Sequence, residues 1–280
     1  RVASPELEFV SGLATPAQVA ETDRFVAYAV RLAVFDGVHG EGLLLQPKGA
    51  LRGCVIELPD ADDTPEMLAG LAPGLAPERQ WARRAAEEGS QVIVLTLIDR
   101  AATFSGNARL GRATNQPHRE WIYRQAYELG RHVIGYEVQK VLAAVDWFAR
   151  ENTKRAALPI AVHGSGEGGL IALYASALDP RIDVTRVRGY FAPRERVWAE
   201  PIYRNVFGQL REFGDAEIAR LIVPRRLVVE AMDVPEVTGP PPPRPRITGA
   251  APGRIVTPPI ASVRAEVARG PAVPPWRAGA

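Results

Sequence analysis

Three short apolar runs, at residues 54–58, 92–98 and 159–163, are the clearest signal in the hydrophobic pattern. Continuous apolar runs of this length are typical of parallel strands that are buried on both faces. Between the second and third runs, apolar residues recur at helical spacing from about 119 to 152, and two internal glycines predict a bend or break there. Strands that alternate with helices predict βαβ units, and therefore an α/β fold with a mostly parallel sheet and helices on both faces.

The remaining predicted elements fit around these strands. In chain order they are a helix within 17–28, a hairpin of 29–35 and 42–46, a helix over 78–88, a helix that ends near 178, and strands near 184–190 and 227–230.

Composition divides the chain into three regions. Residues 1–28 form a mixed N-terminal lead-in, residues 29–233 form a single α/β domain, and residues 234–280 are rich in proline. We interpret the last region as a linker or tail with at most one short helix, at 262–269. The proline cluster at 238–246 favours a simple spacer over a polyproline motif that binds a partner.

Size and charge exclude several classes of protein. The chain has 280 residues, enough for a full core, and 34 basic residues balance 32 acidic ones, which leaves no electrostatic footprint for nucleic acid. No run of 18 apolar residues occurs, so we expect no membrane span. The single cysteine, Cys54, lies in an apolar run and is interpreted as a buried strand residue. No signal peptide is apparent, and a start at Arg1 is compatible with a fragment, so the compartment is left open.

The most informative motif is the glycine-rich turn at 163–169, which reads His-Gly-Ser-Gly-Glu-Gly-Gly between a strand and a helix. A nucleophile elbow requires small residues two positions before and after its central residue. Gly166 has glycine at both of these positions, whereas Ser165 has His163 and Glu167. The motif thus fits an elbow centred on a residue without a hydroxyl group. The alternative is a plain strand–helix turn whose glycines serve packing or anion binding.

Further segments with the same order and spacing carry a resemblance to a known family. They are 164–169 as the elbow, 173–182 as the helix after it and its exit, and 189–191, 205–208, 213–219 and 221–227 as the passage to a late strand. Over roughly residues 30–232, the chain resembles the acetyl xylan esterase and dienelactone hydrolase branch of the α/β-hydrolase superfamily.

This resemblance implies a serine nucleophile, an acid after the seventh strand and a histidine after the eighth. The nucleophile position is Gly166, and Ser165 is the nearest hydroxyl group. Asp233 is the candidate acid, with Glu230 as the alternative. All four histidines precede the elbow: His39, His118, His132 and His163. A serine hydroxyl is a poor nucleophile without a base, so the resemblance implies a hydrolase domain that has lost its chemistry.

Candidate binding residues come from two further segments. Asp60 and Ala61 follow the strand after which the family builds part of its oxyanion hole. The neighbouring carboxylates favour a solvated acidic loop over a cation site. The segment with His118, Arg119 and Trp121 either overlies the pocket or simply starts a helix with i,i+4 ion pairs. Together with the elbow, the candidate binding residues are Asp60, Ala61, His118, Arg119, Trp121, Ser165 and Glu167.

A second polar and aromatic cluster follows residue 191 and either caps the same cleft or packs this segment onto the domain. Its members are Arg194, Arg196, Trp198, Glu200, Tyr203 and Arg204.

Three functions remain open at this point. The first is an inactive hydrolase domain that belongs to a larger protein and keeps its cleft for a small molecule or a carbohydrate. The second is an active carboxylic-ester hydrolase that uses Ser165 or an unrecognised nucleophile on an acylated carbohydrate or a small lactone. The third is a purely structural module. We expect no cofactor, metal, nucleic acid or membrane as a partner.

Overall fold

The computed structural model describes residues 5–103, 105–107, 109, 111–240, 242–270 and 278–279. The strands are β1 (Leu7–Phe9), β2 (Gln18–Glu21), β3 (Phe25–Phe35), β4 (Val38–Pro47), β5 (Gly53–Leu58), β6 (Ser90–Leu95), β7 (Gly106–Asn107), β8 (Arg112–Ala113), β9 (Ile160–Ser165), β10 (Val184–Arg188), β11 (Arg226–Glu230) and β12 (Ala278–Gly279). The α-helices are α1 (Pro65–Leu68), α2 (Trp81–Glu87), α3 (His118–Glu128), α4 (Val133–Asn152), α5 (Glu167–Leu178), α6 (Asp215–Arg220) and α7 (Ile260–Arg269).

One mixed sheet runs through the domain in the order β1-β3-β4-β6-β5-β9-β10-β11-β12, and β2 also pairs with β3. Strands β6, β5, β9, β10, β11 and β12 are parallel, whereas the pairs among β1 to β4 and the β4–β6 pair are antiparallel. The predicted α/β class with a mostly parallel sheet is therefore confirmed.

Both faces of the sheet are covered by helices. In β5, Cys54, Ile56 and Leu58 pack into the larger core, which also contains residues of α4 and α5. Val55 points to the opposite core, where it meets the α2 residues Ala82 and Ala86. This explains why β5 is apolar at nearly every position.

The helix predicted within 17–28 is wrong. These residues form β2 and the start of β3, whose side chains alternate between buried and half-buried positions from Phe25 onwards. The alanines in this stretch have high helix propensity, but the alternation of large apolar residues and the pairing of β3 with β4 decide the conformation. The hairpin that the sequence predicts is confirmed and is longer than expected.

The long helical pattern is interrupted as predicted. Helix α3 ends at Glu128, and Gly130 adopts a positive φ of 66° directly after it. Helix α4 then starts at Val133, with the His132 imidazole accepting the N–H of Ile134. The second glycine of this stretch, Gly135, lies within α4 and does not interrupt it.

The proline-rich region contacts the domain at several places. Val263 of α7 is 5% exposed and belongs to the larger core. The buried Glu266 accepts the N–H of Ala216 at 2.9 Å, so α7 caps the first turn of α6. Earlier in the proline-rich region, Gly249 O accepts a hydrogen bond from the Gln116 amide. The limits of the three predicted regions stay a prediction. No helix among the described residues has the length and apolar character needed to cross a membrane.

Candidate functional site

The turn between β9 and α5 is sharp and depends on glycine. Gly166 adopts a φ of 54° and a ψ of −117°, a conformation that side chains strongly disfavour. Its N–H donates to Arg188 O at 2.9 Å, which fixes the turn against β10. A Cβ atom at Gly164 would overlap Gly168 O, so the crossing of strand and helix leaves no room there. The turn thus has the backbone that the glycine-rich motif predicts.

The space beside Gly166 is taken by a carboxylate. Asp60 follows β5, is 2% exposed, and its Oδ1 lies too close to the position of a Cβ atom at Gly166 for both atoms to fit. The same oxygen accepts the backbone N–H of Glu167 at 2.9 Å. This N–H belongs to the residue after the elbow position, which in α/β-hydrolases is one donor of the oxyanion hole. In this chain, a built-in carboxylate saturates that donor.

Arg100 holds this carboxylate in place. Its Nη1 donates to Asp60 Oδ2 at 2.7 Å and its Nη2 donates to Asp60 Oδ1 at 2.9 Å, a bidentate pair. Asp62 accepts both the backbone N–H and the Nη1 of Arg100. Burial disfavours the charged guanidinium, but the bonds to Asp60 outweigh it and raise the pKa of Arg100. Asp60 therefore has little freedom to leave the elbow.

Glu167 is the centre of a buried group of arginines. Its carboxylate lies 2.7 Å from Arg204 Nε, 3.4 Å from Arg100 Nη2 and 3.7 Å from Arg119 Nη2. Burial opposes its ionisation, yet the charges of the three arginines prevail and lower its pKa to about 2. Arg119 in turn forms a bidentate pair with Glu137, at 2.8 Å for each bond. We call Asp60, Arg100, Arg119, Glu137, Glu167 and Arg204 the cleft ion network.

Three of the predicted binding residues therefore lie in one connected network, namely Asp60, Arg119 and Glu167. Ala61 is buried in the same loop as Asp60. His118 contacts Asp99 instead, with 2.7 Å between Nδ1 and the carboxylate.

The other predicted residues lie apart from these contacts. Trp121 is half-buried on α3. Ser165 is 2% exposed at the end of β9, and its Oγ has no hydrogen-bond partner among the described residues. Asp233 is exposed after β11, and Glu230 at the end of β11 pairs with Arg188 at 3.2 Å.

The second polar and aromatic cluster joins the cleft rather than only packing its own segment. Arg204 reaches Glu167, and the Arg119 guanidinium lies 5.3 Å from the centre of the Tyr203 ring. Glu200 links Arg204 to Arg194, at 3.1 and 2.6 Å. The excursion after β10 thus closes over the carboxyl ends of β5 and β9.

Sequence reasoning missed two members of the network, Arg100 and Glu137. A weak signal existed for Arg100, because it follows a buried parallel strand at the sheet edge where α/β proteins place their sites. For Glu137 the only signal is a charge on the apolar side of a helical pattern. Its side chain is fully buried and accepts the N–H of Ile98 at 3.0 Å.

Side chains near the elbow that could hold a metal ion or act as a base contact other residues of the chain. Among the described residues, no group of three or more His, Cys, Asp or Glu side chains is placed to hold a metal ion. The acidic loop after β5 binds Arg100 instead of a cation. His163, the histidine nearest the elbow in sequence, contacts the buried Glu57 at 3.3 Å. What the cleft does provide is a dense set of paired charges.

Comparison with known proteins supports the fold. No family model matches the sequence, and no curated protein is similar to it at a significant level. Among solved structures, a protein from Bacteroides fragilis assigned as an acetyl xylan esterase has a TM-score of 0.60 at 18% identity, over 81% of this chain. The chain spans 63% of the length of that protein. An acetyl xylan esterase from Paenibacillus sp. R4 matches 81% of this chain and 72% of its own, at 15% identity and a TM-score of 0.49.

The sheet order, the sharp glycine turn between β9 and α5, and the first of these similarities agree with one another. The chain therefore has the α/β-hydrolase fold, as its resemblance to the acetyl xylan esterases implies.

Proposed function

We propose that this chain is a catalytically inactive α/β-hydrolase domain. The observation that carries the proposal is the position of the Asp60 carboxylate, which overlaps the place of a side chain at residue 166 and accepts the N–H of Glu167. The domain keeps the scaffold of an ester hydrolase, but its cleft is filled by its own charged side chains. Fold alone does not decide function, so the proposal rests on this site.

The missing nucleophile is the first reason. Gly166 has no hydroxyl group at the only position where the turn would present one to a substrate. In a serine protease, removal of the nucleophile lowers kcat by about 10⁶, and the remaining machinery does not replace it. A hydrolase with glycine at this position lacks covalent catalysis.

The occupied oxyanion donor is the second reason. Acyl transfer needs N–H groups aimed at the developing oxyanion, and the loss of one such donor lowers kcat by about 10² to 10³. Here the donor of Glu167 already binds Asp60 at 2.9 Å. A carboxylate in that position would also repel a second negative charge. Substrate carbonyl groups thus gain no activation from this end of α5.

Ser165 gives little support to the alternative of an active ester hydrolase. Its hydroxyl group is buried within the sheet, and it would need a turn shifted by one residue to reach the cleft. The alternative of a purely structural module is favoured by the filled cleft itself. It differs from an inactive binding domain in having no ligand at all.

A fluorophosphonate probe followed by intact-mass analysis tests the proposal. We expect no covalent adduct on the unmodified protein, because the probe reacts with serines that a hydrolase activates. The variant Ser165→Ala serves as the matched comparison. A single adduct on the unmodified protein that disappears in Ser165→Ala would establish an active, shifted elbow and overturn the proposal.

A further inference from the structure

A large cavity lies beside the carboxyl end of β10, apart from the elbow. Its volume is about 660 Å³, within the range of small-molecule pockets. One wall is the segment that follows β10, including Tyr190 and Ala192, and the other is the proline-rich region, including Ile255 and Pro258. Neither Gly166 nor the other residues of the β9–α5 turn line it.

The inner wall carries fixed positive charge. Arg194 is 7% exposed, and its guanidinium lies 5.0 Å from the centre of the Tyr190 ring. Its Nη2 donates to Glu200 Oε2 at 2.6 Å, and Arg204 donates to the same oxygen at 3.1 Å. Glu200 is thereby shared between two arginines, of which Arg204 also pairs with Glu167 at 2.7 Å.

The rim adds two more arginines with weak partners. Arg196 forms no salt bridge within the described part of the chain, and its guanidinium lies 5.9 Å from the Trp198 ring. The Arg254 side chain is 62% exposed, and its closest carboxylate, on Glu236, lies 3.4 Å away. The acidic rim residue Glu195 is itself 64% exposed. Four arginines against two glutamates therefore line the cavity.

The rest of the lining is apolar and rigid. Apart from Gly189, Tyr190 and Ser262, it consists of alanine, proline and aliphatic side chains: Ala192, Pro193, Ala199, Ile255, Val256, Pro258 and Pro259. Proline has little conformational entropy to lose, so such a wall is ordered before a ligand arrives. An apolar wall beside exposed guanidinium groups suits a molecule with an apolar body and one anionic end.

We propose that this cavity binds an amphipathic monocarboxylate, with its carboxylate at Arg196 and Arg254 and its apolar body against the proline wall. Guanidinium groups bind carboxylates through paired N–H bonds. The apolar lining favours such a ligand over inorganic phosphate, which would gain nothing from that wall. The proposal goes beyond an inactive elbow and does not depend on it, because the residues that bind the ligand lie outside the β9–α5 turn.

Isothermal titration calorimetry with benzoate and octanoate tests the proposal, with benzamide and inorganic phosphate as comparison ligands. We expect at least one carboxylate to bind with a Kd of about 1 mM or tighter, and at least about tenfold more tightly than benzamide or phosphate. The double variant Arg196→Gln/Arg254→Gln should weaken binding about tenfold or more. Arg131→Gln, an exposed arginine between α3 and α4, should bind as the unmodified protein does.

A second variant tests the location independently of charge. Ser262 lines the cavity from the first turn of α7 and is half-buried, so Ser262→Trp should obstruct part of the cavity and weaken binding while the melting temperature stays close to that of the unmodified protein. Absence of binding by both carboxylates would overturn the proposal. Equal binding of benzamide or phosphate, or full binding by the double variant or by a folded Ser262→Trp, would overturn it as well. Ester hydrolysis by the unmodified protein would contradict the inactive elbow and leave this site standing.

Discussion

Asp60 Oδ1 accepts the backbone N–H of Glu167 at 2.9 Å, at the end of α5 where α/β-hydrolases stabilise an oxyanion. The bidentate pair with Arg100 holds the carboxylate there. The elbow of this domain is thus occupied by a side chain of the domain itself. Substitution of Gly166, or removal of the charges around Glu167, should therefore lower the stability of the fold.

The contact between Asp60 and Gly166 can be measured by a double-mutant cycle on the free energy of unfolding. Gly166→Ala should destabilise the protein by more than the ~1–2 kcal/mol that a left-handed backbone alone costs an L-residue, because the new Cβ meets Asp60. In the Asp60→Ala background the same change should cost less, which gives a coupling energy of at least about 0.5 kcal/mol.

Gly208→Ala is the control for that cycle. Gly208 also has a positive φ, of 75°, but a Cβ atom there would meet no atom within 4 Å. Gly208→Ala should lower the free energy of unfolding by the same amount with and without Asp60. Strict additivity of Gly166→Ala and Asp60→Ala would mean that the carboxylate does not occupy the elbow.

Glu167→Gln should be among the most destabilising single changes in the cleft. It leaves Arg204, Arg100 and Arg119 around a neutral side chain, and breaking a buried ion pair costs about 3–5 kcal/mol. Urea unfolding at neutral pH measures this loss. Glu151→Gln, which removes a partner of the exposed Lys154, is the matched control and should change stability little.

The Glu167 carboxylate also predicts that the stability of the protein falls at acidic pH. The folded protein lowers the pKa of Glu167 from 4.5 to about 2, so its stabilisation is complete above about pH 4.5 and is lost as the pH falls towards 2. The difference in stability between the unmodified protein and Glu167→Gln should shrink over that interval. A difference that is constant between pH 6 and about 2.5 would contradict the low pKa.

The Asp215 carboxyl group predicts the opposite dependence of stability on pH. It is fully buried, and this burial raises its pKa from 3.8 to about 7 although Arg194 opposes the change. Because the folded protein holds the proton more tightly than the unfolded chain does, stability from this group is greatest below about pH 4 and falls as the pH rises to about 7.

The variant Asp215→Asn removes that titration. It should gain stability relative to the unmodified protein as the pH rises from about 4 to about 7, with no further gain above that. Thermal unfolding across this range measures the effect, and Asp233→Asn, at an exposed carboxylate, is the control. A constant difference between Asp215→Asn and the unmodified protein would show that Asp215 is ionised throughout.

The proline-rich region should contribute to stability through α7. Val263 is 5% exposed in the larger core, so Val263→Ala removes two buried carbons and should cost about 2 kcal/mol. Val256 lies in the same region but is 46% exposed, and Val256→Ala should have little effect on unfolding. Equal effects of the two changes would mean that α7 is not packed on the domain in solution.

The fold was largely predictable because its central elements have unambiguous patterns. Short apolar runs such as 92–98 are typical of buried strands, and the glycines at 164, 166 and 168 predict a close strand–helix crossing. The segment before residue 28 was misassigned because alanine favours a helix, while the outcome depends on pairing with a strand later in the chain. Local propensity does not contain that information.

The cleft was predictable only in part. Asp60 and Glu167 stood out beside predicted strand ends, and Arg119 stood out in a polar segment at the start of a predicted helix, but their partners did not. Arg100 meets Asp60 only because the sheet order places β5 between β6 and β9. Glu137 was not predicted as a member of the network because a charged residue on a helix is ordinarily exposed. Sequence patterns report spacing along the chain, so they could not predict partners that only the sheet topology brings together.

Hydrolysis of p-nitrophenyl acetate by the unmodified protein is the most direct test of the proposal that the domain is catalytically inactive. The comparison is with Ser165→Ala and with Ser262→Ala, which removes a hydroxyl group far from the elbow in sequence. Our account predicts the same slow, non-saturable rate for all three proteins, since none has a hydroxyl group at residue 166. Saturable turnover by the unmodified protein and by Ser262→Ala, lost in Ser165→Ala, would contradict it.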